Sequence, residues 1–574
     1  MRKIKQYSIL ITMLLILSLT IGACGKKSEE SGTPASAEST EESVTIITSA
    51  PKAPETPQEE APSEESAGNE EESAALPEQN TGSEDAGAPA AQENAGNSAL
   101  RVMTGSGTIT GQDDSSYEMM YQITYPYLSL VDEDKESHPQ LQSALEAKNR
   151  EFEENARKSE DWYKDAAKES KEIDPEYFTM LYSEELLSVV RADEQALSVV
   201  GSYSNYGGGA HGMYGFNGYS FDPKTGREIG IRDVVNDIPA LLKMISEKVQ
   251  EDYPGLSMMS AEYTLTEENA DNLQFAIGYE SLIFYFEPYA LASYAEGSQV
   301  VSIPFKGNEG LINGKYFDVP DHYGVEFAGG TAYEDTNGDG IPEAISVTVS
   351  ANNEEGVIQQ IGINIAGRTF MEEEEEFLGY SYLPTLVRVG QKLYLYVELS
   401  SDNDYKFFRI YNVTGGQFSQ CDENWYSFAR EWSGNYEMQS RTTLSDPTLV
   451  KMWMNTDVLG TGKAYSWFYV GDDGRLVNFN EGYFLEHYGA DALTLKQDLA
   501  VIAVEPNNKY GKGTEVTLKA GTRVTGYYTD NETYVEIKDP DGDNYWVGGQ
   551  FAEWPLTVGG IPMDDLFDGI MYAG

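Results

Sequence analysis

Cysteine is almost missing from this sequence, since Cys24 and Cys421 are the only two in 574 residues. One of them follows Ile21-Gly22-Ala23 near the N-terminus, where modification of its thiol would leave no partner for an internal disulfide. Burial of apolar side chains must therefore hold the fold together. Cys421 has no cationic neighbour in the sequence that would favour a thiolate, so we interpret it as a structural thiol.

Histidine and the common catalytic motifs are scarce as well. Only His138, His211, His322 and His487 occur, and none belongs to a His-Glu-x-x-His motif or a Cys/His cluster. A Gly-x-Ser-x-Gly elbow and a phosphate-binding Lys-Ser/Thr loop are also missing. We therefore predict that the protein is not an enzyme. An envelope enzyme acting on peptidoglycan through paired carboxylates stays open as an alternative, because the spacing of pairs among 95 acidic residues cannot be read from the sequence.

Positive charge is in short supply. The chain has 39 basic and 95 acidic residues, a net charge of −56 and a pI near 4.2. Such a chain repels phosphate backbones, which excludes nucleic-acid binding as its function. An acidic surface of this size attracts cations and basic proteins instead.

Long apolar runs are limited to the N-terminus, where a stretch from Ser8 to Ile21 follows the cationic segment Met1-Arg2-Lys3-Ile4-Lys5. The run is shorter than the ~20 residues that span a bilayer comfortably. It ends in small residues before Cys24, which is the order of a secretory signal. The site resembles a bacterial lipobox, which implies cleavage before Cys24 and lipidation of its thiol by acyl chains such as palmitate. We predict a signal peptide over residues 1–24 and an anchor on the outer face of the cell membrane.

The next segment, residues 25–97, is mostly Ala, Ser, Pro, Gly and Glu, with 17 acidic residues and 3 lysines. Large apolar side chains are so rare in it that it cannot bury enough surface to order itself. We predict a disordered acidic linker that carries the remaining chain away from the membrane.

The remaining residues are too many for one hydrophobic core, so we predict several domains. Helical spacing of apolar residues predicts helices at 139–156 and 237–249, the second with Asp237 as its N-cap. Elsewhere short strand-like runs alternate with turn signals, as in Leu393-Tyr394-Leu395-Tyr396-Val397. The predicted fold class is α+β: an α+β domain over 98–310, a β-rich region over 311–505 for which a propeller-like architecture is one expectation, and a small barrel over 506–574.

An ordered set of motifs carries a family resemblance. Residues 201–212 read Gly-Ser-Tyr-Ser-Asn-Tyr-Gly-Gly-Gly-Ala-His-Gly, and residues 218–227 read Gly-Tyr-Ser-Phe-Asp-Pro-Lys-Thr-Gly-Arg. Residues 282–289 read Leu-Ile-Phe-Tyr-Phe-Glu-Pro-Tyr, followed by Tyr-Ala-Glu-Gly at 294–297. This order resembles the RsiV/PdaC-type extracellular domain (domain-of-unknown-function family 3298 with its N-terminal partner segment), over about a third of the chain.

The resemblance implies a partner more than a reaction. In RsiV the domain senses lysozyme, and in the deacetylase PdaC catalysis belongs to a separate domain whose Thr-Phe-Asp-Asp-Gly motif is missing from this sequence. The glycine run permits tight backbone angles, and Tyr203, Tyr206, His211 and Tyr214 surround it. We predict these four residues as ligand-binding, with the alternative that His211 is a hydrogen-bonded loop residue that supports the sheet.

The segment Asp335 to Glu343 places oxygen donors at the spacing that calcium requires. Asp335, Asn337, Asp339 and Glu343 take loop positions 1, 3, 5 and 9, and Ile341 offers a backbone carbonyl. Position 12 is serine, and the following Ile-x-Val-x-Val pattern predicts a strand instead of an EF-hand helix. We predict a calcium loop between strands, with a metal-free turn as the alternative.

Residues 514–547 resemble a bacterial SH3-like barrel, with a purely structural cap as the alternative to a binding module. A solute-binding lipoprotein of a transporter is a further alternative, but it requires two similar α/β lobes, which the β-rich second half disfavours. Together these observations predict a lipid-anchored protein outside the cytoplasm that binds a lysozyme-like basic protein or a peptidoglycan glycan.

Overall fold

The computed structural model describes residues 97–113, 116–352, 356–372, 378–401, 405–433, 438–487, 492–505 and 511–572. The predicted signal peptide with Cys24, and the predicted linker as far as residue 96, lie outside the described residues.

Helices are confined to the two ends of the described chain. The first part contains, in chain order, β1 Val102–Gln112, β2 Met119–Leu130, α1 Asp132–Lys135, α2 Pro139–Ile173, β3 Leu181–Ala192, β4 Leu197–Tyr206, β5 Met213–Phe221, α3 Ile231–Val234, α4 Ile238–Asp252, α5 Ala261–Thr264, β6 Gln274–Ile277, β7 Ser281–Phe286 and β8 Gln299–Pro304. The middle part contains β9 His322–Glu326, β10 Ala332–Glu334, β11 Glu343–Asn352, β12 Val357–Ile365, β13 Arg368–Met371, β14 Ser381–Val389, β15 Lys392–Ser400, β16 Lys406–Asn412 and β17 Ser419–Asn424.

The last part is again almost entirely strand. It contains β18 Ser427–Phe428, β19 Arg430–Ser433, β20 Met438–Thr442, β21 Val450–Thr456, β22 Gly462–Val470, β23 Leu476–Asn478, β24 Tyr483–His487, β25 Leu493–Leu495, β26 Leu499–Val504, β27 Thr514–Leu518, β28 Arg523–Thr529, β29 Tyr534–Lys538, β30 Asn544–Gln550, β31 Thr557–Val558, β32 Ile561–Pro562, α6 Met563–Leu566 and β33 Phe567–Asp568. Short 3-10 turns lie at Ala270–Asn272, Tyr294–Glu296, Gly314–Phe317 and Thr414–Gly416.

A seven-stranded sheet in the order β19-β20-β1-β2-β3-β4-β5 organises the first part. Strands β2 and β3 run parallel, and helix α2 supplies the crossover that a parallel pair requires. The helix packs on β2 and buries one stripe of side chains: Leu141, Leu145, Phe152, Ala156, Tyr163 and Ala167. The predicted helix at 139–156 is confirmed, and it continues to Ile173 because the buried stripe continues through its second half.

The opposite face of this sheet meets the three-stranded sheet β6-β7-β8. Because side chains alternate along a strand, Val200 of β4 and Phe216 of β5 point away from α2 and pack against Ala276 and Ile283. Helix α4 covers the same small sheet. Its predicted N-cap is confirmed, since the Asp237 carboxylate accepts a hydrogen bond of 3.0 Å from the amide of Ala240.

The middle and last parts are β-rich. A four-stranded sheet (β10-β11-β12-β13) and a five-stranded sheet (β17-β16-β15-β14-β9) share one core, and the central strand β15 is buried along Leu393–Leu399. The strand predicted at 393–397 is confirmed, and its unbroken apolar run reflects burial on both faces. A branched sheet of fourteen strands follows.

The coarse fold agrees with the predicted class: an α+β first part is followed by a mostly β remainder. In the residues that the structure covers, no sheet closes into a barrel. The predicted domain boundaries stay predictions. Strand pairing crosses the predicted boundary between residues 310 and 311. Strand β20 pairs with β1, so residues 438–442 belong to the same sheet as residue 103.

Within the described residues, no helix is long and apolar enough to cross a membrane. Cys421 is half-buried and its thiol donates to the carbonyl of Ile410 at 3.4 Å. Burial raises the pKa of Cys421 to about 11, so its thiol stays protonated at neutral pH, as expected of a structural cysteine.

Candidate functional site

The glycine-rich segment forms the loop of the β4–β5 hairpin. Gly208 and Gly209 have φ angles of +95° and +93°, a region that side chains disfavour. The Tyr206 hydroxyl donates to the carbonyl of Gly209 at 3.0 Å and braces the loop from its base. A Cβ atom at Gly207 would lie 2.6 Å from the ring of Trp162, so the indole of α2 rests on this glycine's backbone. The predicted conformational role of the glycines is thus visible in the loop.

A ring cluster lies beside the loop and centres on Tyr294. The imidazole of His211 stacks on the Tyr294 ring at 4.2 Å between centroids. The Tyr294 hydroxyl donates to the carbonyl of Gly212 at 2.9 Å. Tyr214 and Tyr289 contact the same ring at 6.0 Å and 5.7 Å. We call His211, Tyr214, Tyr289 and Tyr294 the Tyr294 cluster.

The outer rings of the Tyr294 cluster are open to solvent. His211 is exposed, and 52% of the Tyr289 surface is accessible. Tyr289 also has a positive φ of 75°, an unusual backbone angle for an aromatic residue, which turns the chain directly after β7. Tyr289 and Tyr294 belong to the motifs that carry the family resemblance, but sequence reasoning did not assign them to the site.

A carboxylate orders the short turn that carries Tyr294. Glu296 accepts hydrogen bonds from the amides of Ser257 and Ser293 at 2.8 Å and 3.0 Å, and from both serine hydroxyls. These bonds, led by the Ser257 amide, lower the pKa of Glu296 to about 2. The carboxylate therefore stays charged at any physiological pH and keeps the 294–296 turn in place.

Tyr203 lies apart from the other three predicted residues. Its hydroxyl donates to the carboxylate of Glu287, and glycine at position 215 leaves the space for that contact. Burial, together with Glu287, raises the pKa of Tyr203 well above its usual value. The structure therefore brings His211 and Tyr214 together, places Tyr206 at the base of the loop, and directs Tyr203 into a neighbouring cleft.

That cleft has a volume of ≈ 690 Å³ and is lined by residues of the large sheet and of the segment 264–290. Among the residues that the structure describes, its lining includes three carboxylates and no lysine or arginine: Ser183, Glu184, Glu185, Tyr203, Phe216, Asn217, Thr264, Asn272, Leu273, Gln274, Tyr285, Phe286, Glu287 and Ala290. Burial raises the pKa of Glu184. Sequence reasoning found only Tyr203 among these residues, because the others gain a common location only through packing of the two layers.

A second candidate site is the loop from Asp335 to Glu343, which connects β10 and β11. The predicted strand after it is confirmed, so the loop is flanked by strands. Carboxylate oxygens of Asp335, Asp339 and Glu343 lie within 4.8 Å of one another. Hard oxygen donors in such a group suit a calcium ion.

The loop backbone wraps around Asp335, which is 7% exposed. One carboxylate oxygen accepts the amides of Asn337, Gly338 and Asp339 at 3.2, 2.7 and 3.2 Å, and the other accepts the Gly340 amide at 2.6 Å. The side-chain amide oxygen of Asn337 accepts a hydrogen bond from the Asp339 backbone amide, and the Asp339 carboxylate accepts one from the Ile341 backbone amide, both at 2.8 Å. Four of the five predicted ligands thus already shape the loop with their backbone or side-chain atoms.

Glu343 closes the loop from the other end. Its carboxylate accepts the Thr336 amide at 2.8 Å and the Asn337 side-chain amide at 2.6 Å. A buried polar network lies below: Arg388 donates to Glu334 and to the Asp335 carbonyl, both at 2.9 Å. This network was not predicted, because Arg388 comes from β14, far away in the sequence.

Two families match the part of the chain that holds the cleft. Residues 112–214 match the family described as "Deacetylase PdaC", and residues 232–306 match "Protein of unknown function (DUF3298)". Every residue lining the cleft belongs to one of these segments, except Phe216 and Asn217, which lie between them.

Two solved structures are similar to this chain. A DUF3298-family member from Bacteroides fragilis is 17% identical, with a TM-score of 0.29, over 39% of this chain and 96% of its own. A DUF3298-family protein from Pseudomonas aeruginosa is 13% identical, with a TM-score of 0.26, over 38% of this chain and 98% of its own. Among curated proteins, none matches this chain.

Proposed function

We propose that this chain, which contains a DUF3298/PdaC-type domain, is a non-enzymatic binding protein of the cell envelope whose partner is a basic, lysozyme-like protein. The observation that carries the proposal is the exposed Tyr294 cluster beside an acidic cleft. Glu287 of the cleft is two residues from Tyr289 of the cluster, so the two features are adjacent along the chain.

The Tyr294 cluster and the acidic cleft contribute to the binding of a basic protein in different ways. Tyrosine rings supply rigid apolar area with a polar edge, which is why they are frequent in protein-binding surfaces. Carboxylates without neighbouring cations attract a basic partner and accelerate its approach. The net charge of −56 extends that attraction over the whole chain.

Binding should depend on the rings and not only on charge. We expect lysozyme to stay bound to the full chain at about 0.15 M salt, where charges more than about 8 Å apart are screened, while cytochrome c of similar charge dissociates. Changing Tyr289 or His211 to alanine should raise the lysozyme dissociation rate about tenfold, as for a residue worth about 1–2 kcal/mol. Surface plasmon resonance measures both effects.

Tyr405→Ala is the matched control, because Tyr405 is 43% exposed and lies in the β-rich part. It should leave the dissociation rate unchanged. Equal retention of both basic proteins, or of neither, would remove lysozyme as the partner. Retention of purified peptidoglycan in their place would favour the second candidate, a wall glycan that stacks on the exposed rings.

We further propose that the protein is a lipoprotein on the outer face of the membrane, attached through Cys24. The support is the Ile-Gly-Ala-Cys sequence after the apolar run. Two or more acyl chains, at about 0.8 kcal/mol for each buried methylene, give a stable anchor.

The anchor is tested by changing Cys24 to alanine. We expect loss of palmitate labelling and release of the protein from the membrane fraction, because no other residue offers the acylated thiol at the cleavage site. Cys421→Ala is the control and should keep both labelling and membrane association. Labelling of the Cys24→Ala protein at its N-terminus would contradict the anchor.

Calcium at the 335–343 loop is the third part of the proposal. Asp335, Asn337, Asp339 and Glu343 would hold the ion with side-chain oxygens, and Ile341 with its carbonyl. The grouping of three carboxylates supports it, since like charges so close together are costly without a cation. Such an ion would fix the β10–β11 connection. The propeller-like and SH3-like architectures of residues 311–505 and 506–574 stay proposals as well.

A further inference from the structure

The cleft beside the Tyr294 cluster uses most of its hydrogen-bond donors internally. The Asn217 amide and the Tyr219 hydroxyl both donate to Glu185, at 3.0 Å and 2.8 Å. The Tyr203 hydroxyl donates to Glu287, and the Thr264 hydroxyl donates to the carbonyl of Ala290.

The Gln274 amide follows the same rule, since it donates to the carbonyl of Asn272 at 3.1 Å. What the cleft offers to a ligand is therefore a surplus of acceptors. A ligand that satisfies them must be rich in donors.

Glu184 is the clearest of these acceptors. It lies on β3 opposite Ser204 of β4 and is half-buried. In the part of the chain that the structure describes, its carboxylate has no hydrogen-bonding partner and no ion pair. Burial alone raises the pKa of Glu184. A desolvated carboxylate without a counter-charge is unfavourable, and an incoming cation removes that cost.

The size of the cleft and the spacing of its carboxylates favour an organic cation over a metal ion as the ligand. A volume of ≈ 690 Å³ falls in the range of about 300–1,000 Å³ that is usual for small-ligand sites. Among the described residues, three carboxylates come within 4.8 Å of one another only at the 335–343 loop, so the cleft does not gather ligands around a point. Glu184 and Glu185 are neighbours on β3 and point to opposite faces of the strand, and the apolar residues Phe216 and Leu273 also line the cleft.

We propose that this cleft binds the guanidinium or ammonium group of an arginine or lysine side chain, which the basic partner inserts next to the Tyr294 cluster. The partner half of this statement rests on the proposed function, while the chemistry of the cleft does not. Glu184 accepts hydrogen bonds from the cationic group, and the apolar edges contact the methylene stem.

The test uses the full chain and two small probes of the same shape. N-acetyl-arginine amide carries the cation, and N-acetyl-citrulline amide carries a neutral urea in its place. We expect saturable binding of the arginine probe at about millimolar concentration, equivalent to a binding free energy of about −4 kcal/mol, and at least tenfold weaker binding of the citrulline probe. Isothermal titration calorimetry or ligand-observed NMR measures both.

Glu184→Gln should weaken the arginine probe about tenfold or more. Glu172→Gln is the matched control, because it removes the same charge from an exposed position of α2, and it should change nothing. Glu184→Gln should also keep or raise the thermal midpoint, since a buried amide costs less than a buried carboxylate. A lower midpoint would mean that the carboxylate has a structural role and would overturn the proposal.

Equal binding of the two probes, or equal binding of the arginine probe to wild type and Glu184→Gln, would also overturn it. The dissociation of lysozyme then tests the proposed partner separately. Faster dissociation of lysozyme from Glu184→Gln than from Glu172→Gln supports the inserted side chain. Failure of lysozyme to bind the wild type removes the proposed partner, while the arginine probe still decides the chemistry of the cleft.

Discussion

Replacing Arg191 with methionine lowers the free energy of unfolding by about 3–5 kcal/mol, the usual cost of removing one partner from a buried ion pair. The Arg191 side chain is 0% exposed and pairs with Asp193, also 0% exposed, at 2.9 Å. It donates further hydrogen bonds to the carbonyls of Gly278, Tyr316 and Asp318 at 3.0, 2.8 and 2.8 Å. Methionine is similar in size but removes the counter-charge of Asp193 and the Arg191 hydrogen bonds to the Gly278 and Tyr316 carbonyls. Asp193 and the Asp318 carbonyl keep their hydrogen bonds from the Asn97 side chain.

Chemical denaturation of the full chain, followed by tyrosine and tryptophan fluorescence, measures this loss. Arg227→Ala is the control, because the Arg227–Asp233 pair is exposed (60% and 38%) and should contribute only about 0–1 kcal/mol. Adding Asp193→Asn to Arg191→Met should recover part of the loss by removing the uncompensated charge. If Arg191→Met lowers the free energy of unfolding no more than the control does, the Arg191–Asp193 pair does not stabilise the contact between β3 and residues 316–318.

Calcium raises the thermal midpoint of the full chain if the 335–343 loop binds it only in the folded state. At a calcium concentration of one hundred times the Kd, the gain in unfolding free energy is about 2.7 kcal/mol. Asp339→Ala should abolish the gain, since it removes one of the three grouped carboxylates. This variant is preferable to Asp335→Ala, because the Asp335 carboxylate accepts four backbone amides and its loss would disturb the loop itself.

Asp530→Ala is the matched control for the calcium effect. The Asp530 carboxylate also accepts backbone amides, from Glu532, Thr533 and Tyr534, but among the described residues it has no grouped carboxylates beside it. It should lower the midpoint with and without calcium by the same amount. Differential scanning calorimetry in calcium and in chelator provides the comparison, and an unchanged calcium shift in Asp339→Ala would place the ion elsewhere.

The features that could be predicted are those made by neighbouring residues. The N-cap of α4 depends on Asp237 and the amide of Ala240, three residues away. All candidate calcium ligands come from nine consecutive residues, so their spacing alone suggested the site. The glycine loop has the same local origin, because a positive φ at Gly208 and Gly209 is a property of those residues.

Strand pairing explains why the predicted tyrosines Tyr203 and Tyr214 lie on different sides of the sheet. Tyr203 and Ser204 are neighbours on β4 and point to opposite faces, and Tyr214 pairs with Ser204 across the hairpin. Tyr203 therefore leaves the side of the sheet on which Tyr214 meets Tyr294. The alternation was readable from the sequence, but the register of the hairpin was needed to apply it.

By itself, the sequence determined the acidic charge, the candidate anchor, the α+β to β-rich order and the two loops, because composition, periodicity and short spacing depend on residues close together in the chain. Only the tertiary structure decided the cleft, the Tyr294 cluster and the buried hydrogen bonds of Arg191. Glu287 reaches Tyr203 across 84 positions, and Arg191 reaches Asp318 across 127. Such contacts follow from the way the β6–β8 layer packs on the large sheet, and the free energy of that packing is a sum over both surfaces that no local pattern encodes.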